Sequence, residues 1–348
     1  MDRRGTAIMP LHYGHPPEYL YKRMIKLSGI LSDIIIDNFG TKKLLENLSN
    51  PYWFHSFSLA IGFDWNSSGT TTATLSAMKE YLNKKDDIII IGGKGNHIRH
   101  IKDEFNDIEK SGNVPEKKLY NVINGSRKTG ITDNKLLQDS FDIYIQFIIM
   151  DYNGNYTVIN QGMNSDLGLA RRYQWINPVD FYNGDRSGIS GYENNNVFDL
   201  SSKKSEMNRN DMIDLIHDGI SKYEKQRTLD NFNVKPELNL NYKIDWKLVR
   251  KVYEYNPENF DEFINIKGVG KSTIRAISYL AEIIYGNGPS YNDPVKFSFC
   301  LGGKDGVPKP VNIKDYDISI KFFKEAAEKK PYETLKKISE LSYKMSSK

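Results

Sequence analysis

The sequence holds one cysteine, Cys300, in 348 residues, so it can build neither an internal disulfide framework nor a cysteine-based zinc cluster. It also lacks a strong excess of either charge. Against 44 Asp and Glu stand 48 Lys and Arg, and the formal net charge of +4 excludes a histone-like, globally basic surface. Any contact with nucleic acid must therefore be local. No stretch approaches the roughly 18 apolar residues of a membrane span. The opening segment MDRRGTAIMPLHYGH has no apolar run of the kind that directs secretion. The expectation is a cytoplasmic protein with no membrane contact. The histidines His12, His15, His55, His97, His100 and His217 match no HExxH or related metal spacing, and neither a Walker nor a serine-protease signature occurs.

What is present has length enough for about two domains. Residues 17–48 repeat apolar side chains at helical spacing (Leu20, Met24, Leu27, Ile30, Leu31, Ile34) behind Pro16 and Pro17, with Gly40 after the first stretch. The β-branched run Ile88–Ile91 ends in glycines and predicts a buried strand, while Phe141–Met150 and Tyr156–Gln161 flank Asn153-Gly154 as a β-hairpin would. Gly, Asn, Ser and mixed charge dominate 184–245, with one helical stretch near 209–224. Helical periodicity resumes over 246–286, a loop is expected through 287–317, and an amphipathic helix over 318–346. The expected architecture is α+β: an N-terminal mixed α/β domain with an antiparallel sheet at 1–235, then a helical domain at 236–348.

Within the second domain, Pro257-Glu-Asn-Phe-Asp-Glu-Phe-Ile-Asn-Ile-Lys-Gly-Val-Gly-Lys-Ser-Thr-Ile-Arg reads as a short helix, a tight turn and a second helix from about Lys271. This is the pattern of a helix-hairpin-helix over 257–286. Gly268 and Gly270 permit the turn and let backbone N–H groups approach a phosphate, and Val269 plugs the turn into the apolar seam. The start of the second helix supplies unpaired donors and the positive end of the dipole. Lys267, Lys271, Ser272, Thr273 and Arg275 surround that point, which suits sequence-independent binding of the DNA backbone. The plainer reading is a helical hairpin with a glycine turn. Asp293, in Tyr291-Asn-Asp-Pro beyond the second helix, stands in a place similar to that of the catalytic acid of helix-hairpin-helix glycosylases, although an Asp before Pro is ordinarily a turn residue.

The N-terminal part offers further polar groupings. Phe63-Asp-Trp-Asn-Ser-Ser-Gly-Thr-Thr-Thr joins Asp64 to an aromatic and a hydroxyl cluster. Gly92, Gly93 and Gly95 could form an anion nest around Lys94, or simply end a strand. Asp133, Gln138 and Asp139 precede the hairpin and Gln161 ends it, so they could converge at one end of a sheet, where acid pairs hold Mg²⁺ in metal-dependent nucleases. Helix and turn capping would use the same acids. Arg171 and Arg172, beside Tyr173 and Trp175, suit phosphate pairing or base stacking.

Taken together, these residues resemble the DUF763 family. The resemblance rests on Arg3-Arg-Gly-Thr-Ala with Pro10-Leu-His, Asn50-Pro-Tyr-Trp-Phe, Gly62-Phe-Asp-Trp-Asn-Ser-Ser-Gly, Gly92-Gly-Lys-Gly, Gln138-Asp, Gln161-Gly-Met-Asn, Ala170-Arg-Arg-Tyr, Gly268-Val-Gly and Gly302-Gly-Lys-Asp-Gly, nearly the whole chain. It implies a DNA-repair group with a helix-hairpin-helix near the C-terminal end, and adds Lys304, Asp305, Arg3 and Arg4 to the candidates. The family pattern has histidine in the place of Asn66, beside or at Gln146, and in the place of Gln174, and lysine at Ser272; if those histidines serve as acids, bases or metal ligands, the three amides keep hydrogen bonding but remove proton transfer.

Three functions remain open at this point. A DNA glycosylase/AP lyase would need no cofactor, using Asp139 as the acid and Lys94 or Lys304 as a Schiff-base amine. A nuclease would hold Mg²⁺ with Asp133, Asp139 and Asp64 or Asp305. A non-catalytic repair factor would only bind DNA. In each case the partner is DNA, contacted through its phosphates.

Overall fold

The computed structural model describes residues 9–11, 14–63, 67–195, 197–218 and 245–295, with Asp317, Ile320 and Lys321. Four helices lead: α1 (Glu18–Phe39), α2 (Thr41–Ser49), α3 (Pro51–Ala60) and α4 (Ser68–Leu82). The periodic stretch 17–48 is thus two helices, because Gly40 at φ +81° turns the chain between α1 and α2. Asn50 starts α3 by accepting hydrogen bonds from the N–H groups of Tyr52 and Trp53, with Pro51 in the first helical position.

A five-stranded antiparallel sheet follows, in the order β1-β3-β4-β5-β6. Its strands are β1 (Ile88–Lys94), β3 (Asp142–Asp151), β4 (Tyr156–Asn164), β5 (Leu169–Ile176) and β6 (Gly188–Ser190), and β2 (Leu137–Gln138) pairs apart from it with β7 (Phe198–Asp199). The β3–β4 hairpin forms where expected. Asp151 holds its loop, accepting from the N–H groups of Asn153 and Asn155, each at 2.9 Å.

Strand alternation sorts the sheet's two faces. Ile88, Ile90, Phe147, Ile149 and Ile159 pack under α1–α4. Ile91, Ile148, Met150, Val158 and Trp175 pack under α5 (Ile101–Ser111) and α6 (Glu116–Ile131). The result is three layers with the sheet in the middle. A register shift in β3 between Ile143 and Ile145 breaks the alternation, so the consecutive Tyr144 and Ile145 both join the α1–α4 side.

A further core gathers Leu136, Phe198 and Leu200 with α7 (Glu206–His217), α8 (Trp246–Tyr255), α9 (Phe260–Asn265) and α10 (Lys271–Tyr285). The expected boundary at residue 236 falls outside the described residues. α7 precedes it, yet Met212, Leu215 and Ile216 share this core with Ile274 and Ile277 of α10. Most of the expected C-terminal helix also lies outside the described residues. Of its start, Asp317 pairs with Arg23 of α1 at 2.7 Å and Ile320 packs on the α1–α4 core.

Candidate functional site

The expected short helix, turn and second helix are present as α9, residues 266–270 and α10. Gly268 sits at φ +103°, a left-handed conformation that a side chain would strain. Val269 is buried, and Ile266 accepts its N–H at 3.0 Å. The first helical hydrogen bond of α10 runs from Ile274 N–H to Gly270 C=O, and among the described residues no side chain caps the helix. The N–H groups of its opening turn therefore point out as uncapped donors. Lys267 and Ser272 are exposed beside them, and Lys271 and Thr273 half-exposed. Lys271 forms an ion pair with the exposed Asp142 at the start of β3.

Two expectations about this region change. Gln138 does not line an open catalytic cleft. It is buried, donates to the carbonyls of Lys135 and Lys271, and accepts from Arg275, Nε at 2.7 Å. Arg275 lies over the Phe198 ring, and burial lowers its pKa, so it mounts the turn on the β2–β7 pair and does not face a ligand outside. Lys135 completes the mount by donating to Val269 C=O at 2.8 Å; burial, then Arg127, lowers its pKa.

Asp133 and Asp139, two of the acids expected as metal or catalytic groups, are each tied to an arginine. Asp133, fully buried, accepts from Asn160 Nδ2 at 2.7 Å, Trp175 Nε1 at 2.8 Å and Arg186 Nε at 2.6 Å. Burial pushes its carboxyl pKa up, against the pull of Arg186. Asp139 accepts from Arg171 Nη1 at 2.6 Å and from the Tyr173 hydroxyl at 2.7 Å. Arg171 also pairs with Asp293, whose carboxylate accepts from Asn194 N–H at 2.7 Å. Asp293 is therefore part of a buried Asp–Arg–Asp bridge and not a lone acid near the turn. Among the described residues, no three His, Cys, Asp or Glu side chains gather as a metal-binding group.

Arg172 is different. It is 1% exposed, projects to the α1–α4 side of the sheet and lies over the Phe54 ring at 4.5 Å. Its Nε donates to Thr71 Oγ1 at 2.8 Å, and Thr71 donates to Gln161 Oε1 at 2.5 Å. Gln161 Nε2 donates in turn to Ser68 C=O at 2.9 Å and to the Tyr144 hydroxyl at 2.6 Å. Over the Tyr144 ring stands the ammonium of Lys94, 5.8 Å from its centroid, on an exposed side chain. The sequence thus brings Lys94, Gln161 and Arg172 together, with Thr71 and Tyr144 as members it did not single out. Burial lowers the Arg172 pKa to about 9, and its buried Nη2 has no hydrogen-bond partner among the described residues.

The glycines before Lys94 are not an open nest. Gly92 and Gly93 pair with Phe147 and Gln146 of β3, and the Gly92 N–H is taken by Glu104 Oε2 at 2.6 Å. At the departures from the family pattern, Gln146 donates to Ser126 C=O and Asn160 Oδ1, and buried Gln174 donates to Leu48 C=O at 2.7 Å. Arg3, Arg4, Asp64, Asn66, Lys304 and Asp305 lie outside the described residues.

Register places these groups at one end of the sheet. Lys94 pairs with Ile145, Ile145 with Gln161, and Gln161 with Arg172. Asp142, the partner of Lys271, begins the same strand three residues before Ile145. That is about 10 Å along the strand. The uncapped turn and the Arg172 chain thus meet at the same end of β3.

In comparison with known proteins, the model of the family described as "Protein of unknown function (DUF763)" matches residues 5–311, and the chain belongs to that family. No curated protein and no solved structure matches it.

Proposed function

We propose that this DUF763 chain grips the sugar-phosphate backbone of DNA at residues 266–270 and works as a DNA-repair enzyme, a glycosylase/AP lyase. The observation that carries the reading is the uncapped start of α10, ringed by Lys267, Lys271, Ser272 and Thr273 on a turn anchored by Lys135 and Gln138. Anchored N–H donors and mobile cations are what a backbone phosphate needs. The chemistry is assigned to the adjoining sheet end. Asp142, which pairs with Lys271 at the turn, lies about 10 Å along β3 from Ile145, the register partner of Lys94. There an exposed amine could attack C1′ of an abasic sugar, releasing water to give an imine, after which loss of the C2′ proton expels the 3′ phosphate.

The test is incubation with labelled duplexes carrying uracil, an oxidised pyrimidine or an abasic site, in Mg²⁺ and in EDTA. Lesion-dependent cleavage in EDTA, with borohydride trapping a covalent adduct that Lys94→Gln abolishes, is expected. The nuclease reading is weaker because the carboxylates of Asp133 and Asp139 already neutralise buried arginines; cleavage of undamaged DNA only with Mg²⁺ would restore it. A non-catalytic reading is favoured by one observation, that Gln146 and Gln174 are absorbed into backbone hydrogen bonds. Salt-sensitive binding without turnover of any substrate would select it.

A further inference from the structure

The buried surfaces carry an imbalance that the DNA reading does not use. Arg171 and Arg186 each meet a carboxylate within 2.6 Å, whereas among the described residues Arg172, equally buried, meets the neutral Thr71 and the face of Phe54 and no carboxylate. A buried cation without a counter-charge costs several kcal/mol, and Nη2 adds an unsatisfied donor. Such a cation persists where a ligand's negative charge completes it. Guanidinium presents paired donors that match phosphate oxygens, and Lys94 supplies a second cation at the exposed end of the same hydrogen-bonded row.

We infer that the Arg172–Thr71–Gln161–Tyr144 row, with Lys94 at its rim, is a receptor for a phosphate group. Arg172 Nη2 is the inner donor and the Lys94 ammonium the outer one. Thr71 and Gln161 hold the guanidinium in place, since the hydroxyl of Thr71 is fixed between Arg172 and Gln161. Two sources share this chemistry: a free deoxynucleoside monophosphate and the terminal phosphate of a DNA strand. The second would use both this row and the 266–270 turn at one end of β3.

The experiment is thermal unfolding and calorimetry of the full chain with inorganic phosphate, dAMP, a 5′-phosphorylated oligonucleotide and its 5′-hydroxyl counterpart. Phosphate and dAMP are expected to raise Tm by about 5 °C at saturation. Lys94→Gln should weaken binding about tenfold and Arg172→Met should abolish the shift. Arg172→Met should still fold, with a Tm at or above wild type, because it removes an uncompensated charge. Preference for the 5′-phosphate strand over the 5′-hydroxyl strand would identify a strand terminus, and equal response to dAMP alone a free nucleotide; either supports the receptor. No shift with any phosphate-bearing probe, or an equal shift from acetate, overturns it. Lys267→Glu separates this inference from the DNA reading. It should lose oligonucleotide binding at the turn yet keep the response to phosphate, and a wild type that ignores DNA but answers to dAMP through Arg172 leaves the receptor standing alone.

Discussion

Arg171 and Arg172 are neighbours on β5, both buried, and they meet opposite fates. Arg171 is held between Asp139 and Asp293, while Arg172 on the other face has no acid against it among the described residues. Buried charge is thus handled in two ways in this sheet. On the face toward α5 and α6, ion pairs of Arg171 lock β5 to the loops at 139 and 293, and Asn194 donates hydrogen bonds to both. On the face toward α4, a positive group is left in reserve, and stability alone gives no reason to retain it.

The sharpest way to break this comparison is to remove one partner from each face. Asp139→Ala strands the Arg171 charge and should cost about 3–5 kcal/mol in urea denaturation, whereas Arg172→Met should change stability by less than about 1 kcal/mol or raise it. Comparable losses in both would mean that the two arginines do the same structural work. The next effect concerns the turn. Gly268→Ala forces a side chain into φ +103° with Leu248 Cδ1 3.1 Å from the new Cβ, and should destabilise the fold by about 1–2 kcal/mol. If the turn contacts DNA, Lys267→Ala and Lys271→Ala should weaken binding alike on all sequences and each lower the salt slope by about 0.9. A sequence-selective loss would argue for base reading there. The smallest effect is expected at Asp142→Asn, which frees Lys271 from an exposed ion pair. Stability should shift by less than about 1 kcal/mol, while DNA affinity rises a few-fold. An unchanged affinity would show that Lys271 does not reach the phosphate.

Local signals were legible in the sequence, and long-range pairings were not. The β3–β4 hairpin, the interruption at Gly40 and the start of α10 at Lys271 all follow from short patterns of branched residues, glycines and helix-start chemistry. By contrast, nothing in Asp133 announces Arg186, which lies 53 residues away in a glycine- and asparagine-rich stretch. Nor does Asp293 announce Arg171, 122 residues away. Read locally, Gln138 and Asp139 looked like site residues because they are polar and lie before a strand; in the fold that position is where α10 docks and where Arg171 must be neutralised. The Arg-Arg pair misled for a simple geometric reason. Adjacent residues on a strand face opposite sides, so two arginines in a row cannot share one surface. The hydroxyl cluster at Thr70-Thr-Thr is legible as a cluster but not its partners, since the Thr71 hydroxyl connects Arg172 to Gln161 only once α4 is laid on the sheet.

The anchoring of the turn also bears on how the chain is made. Lys135 reaches the carbonyl of Val269 across 134 residues, and Leu136 shares a core with Ile274 and Ile277. At a synthesis rate of about 5–20 residues per second, the sheet, complete at Ser190, waits on the order of 5–20 s with that flank uncovered before α10 emerges. A nascent chain halted before α10 would therefore present the apolar side of α7 to whatever it meets, so the distal helices act as a late-closing seal on a sheet that was ready well before them.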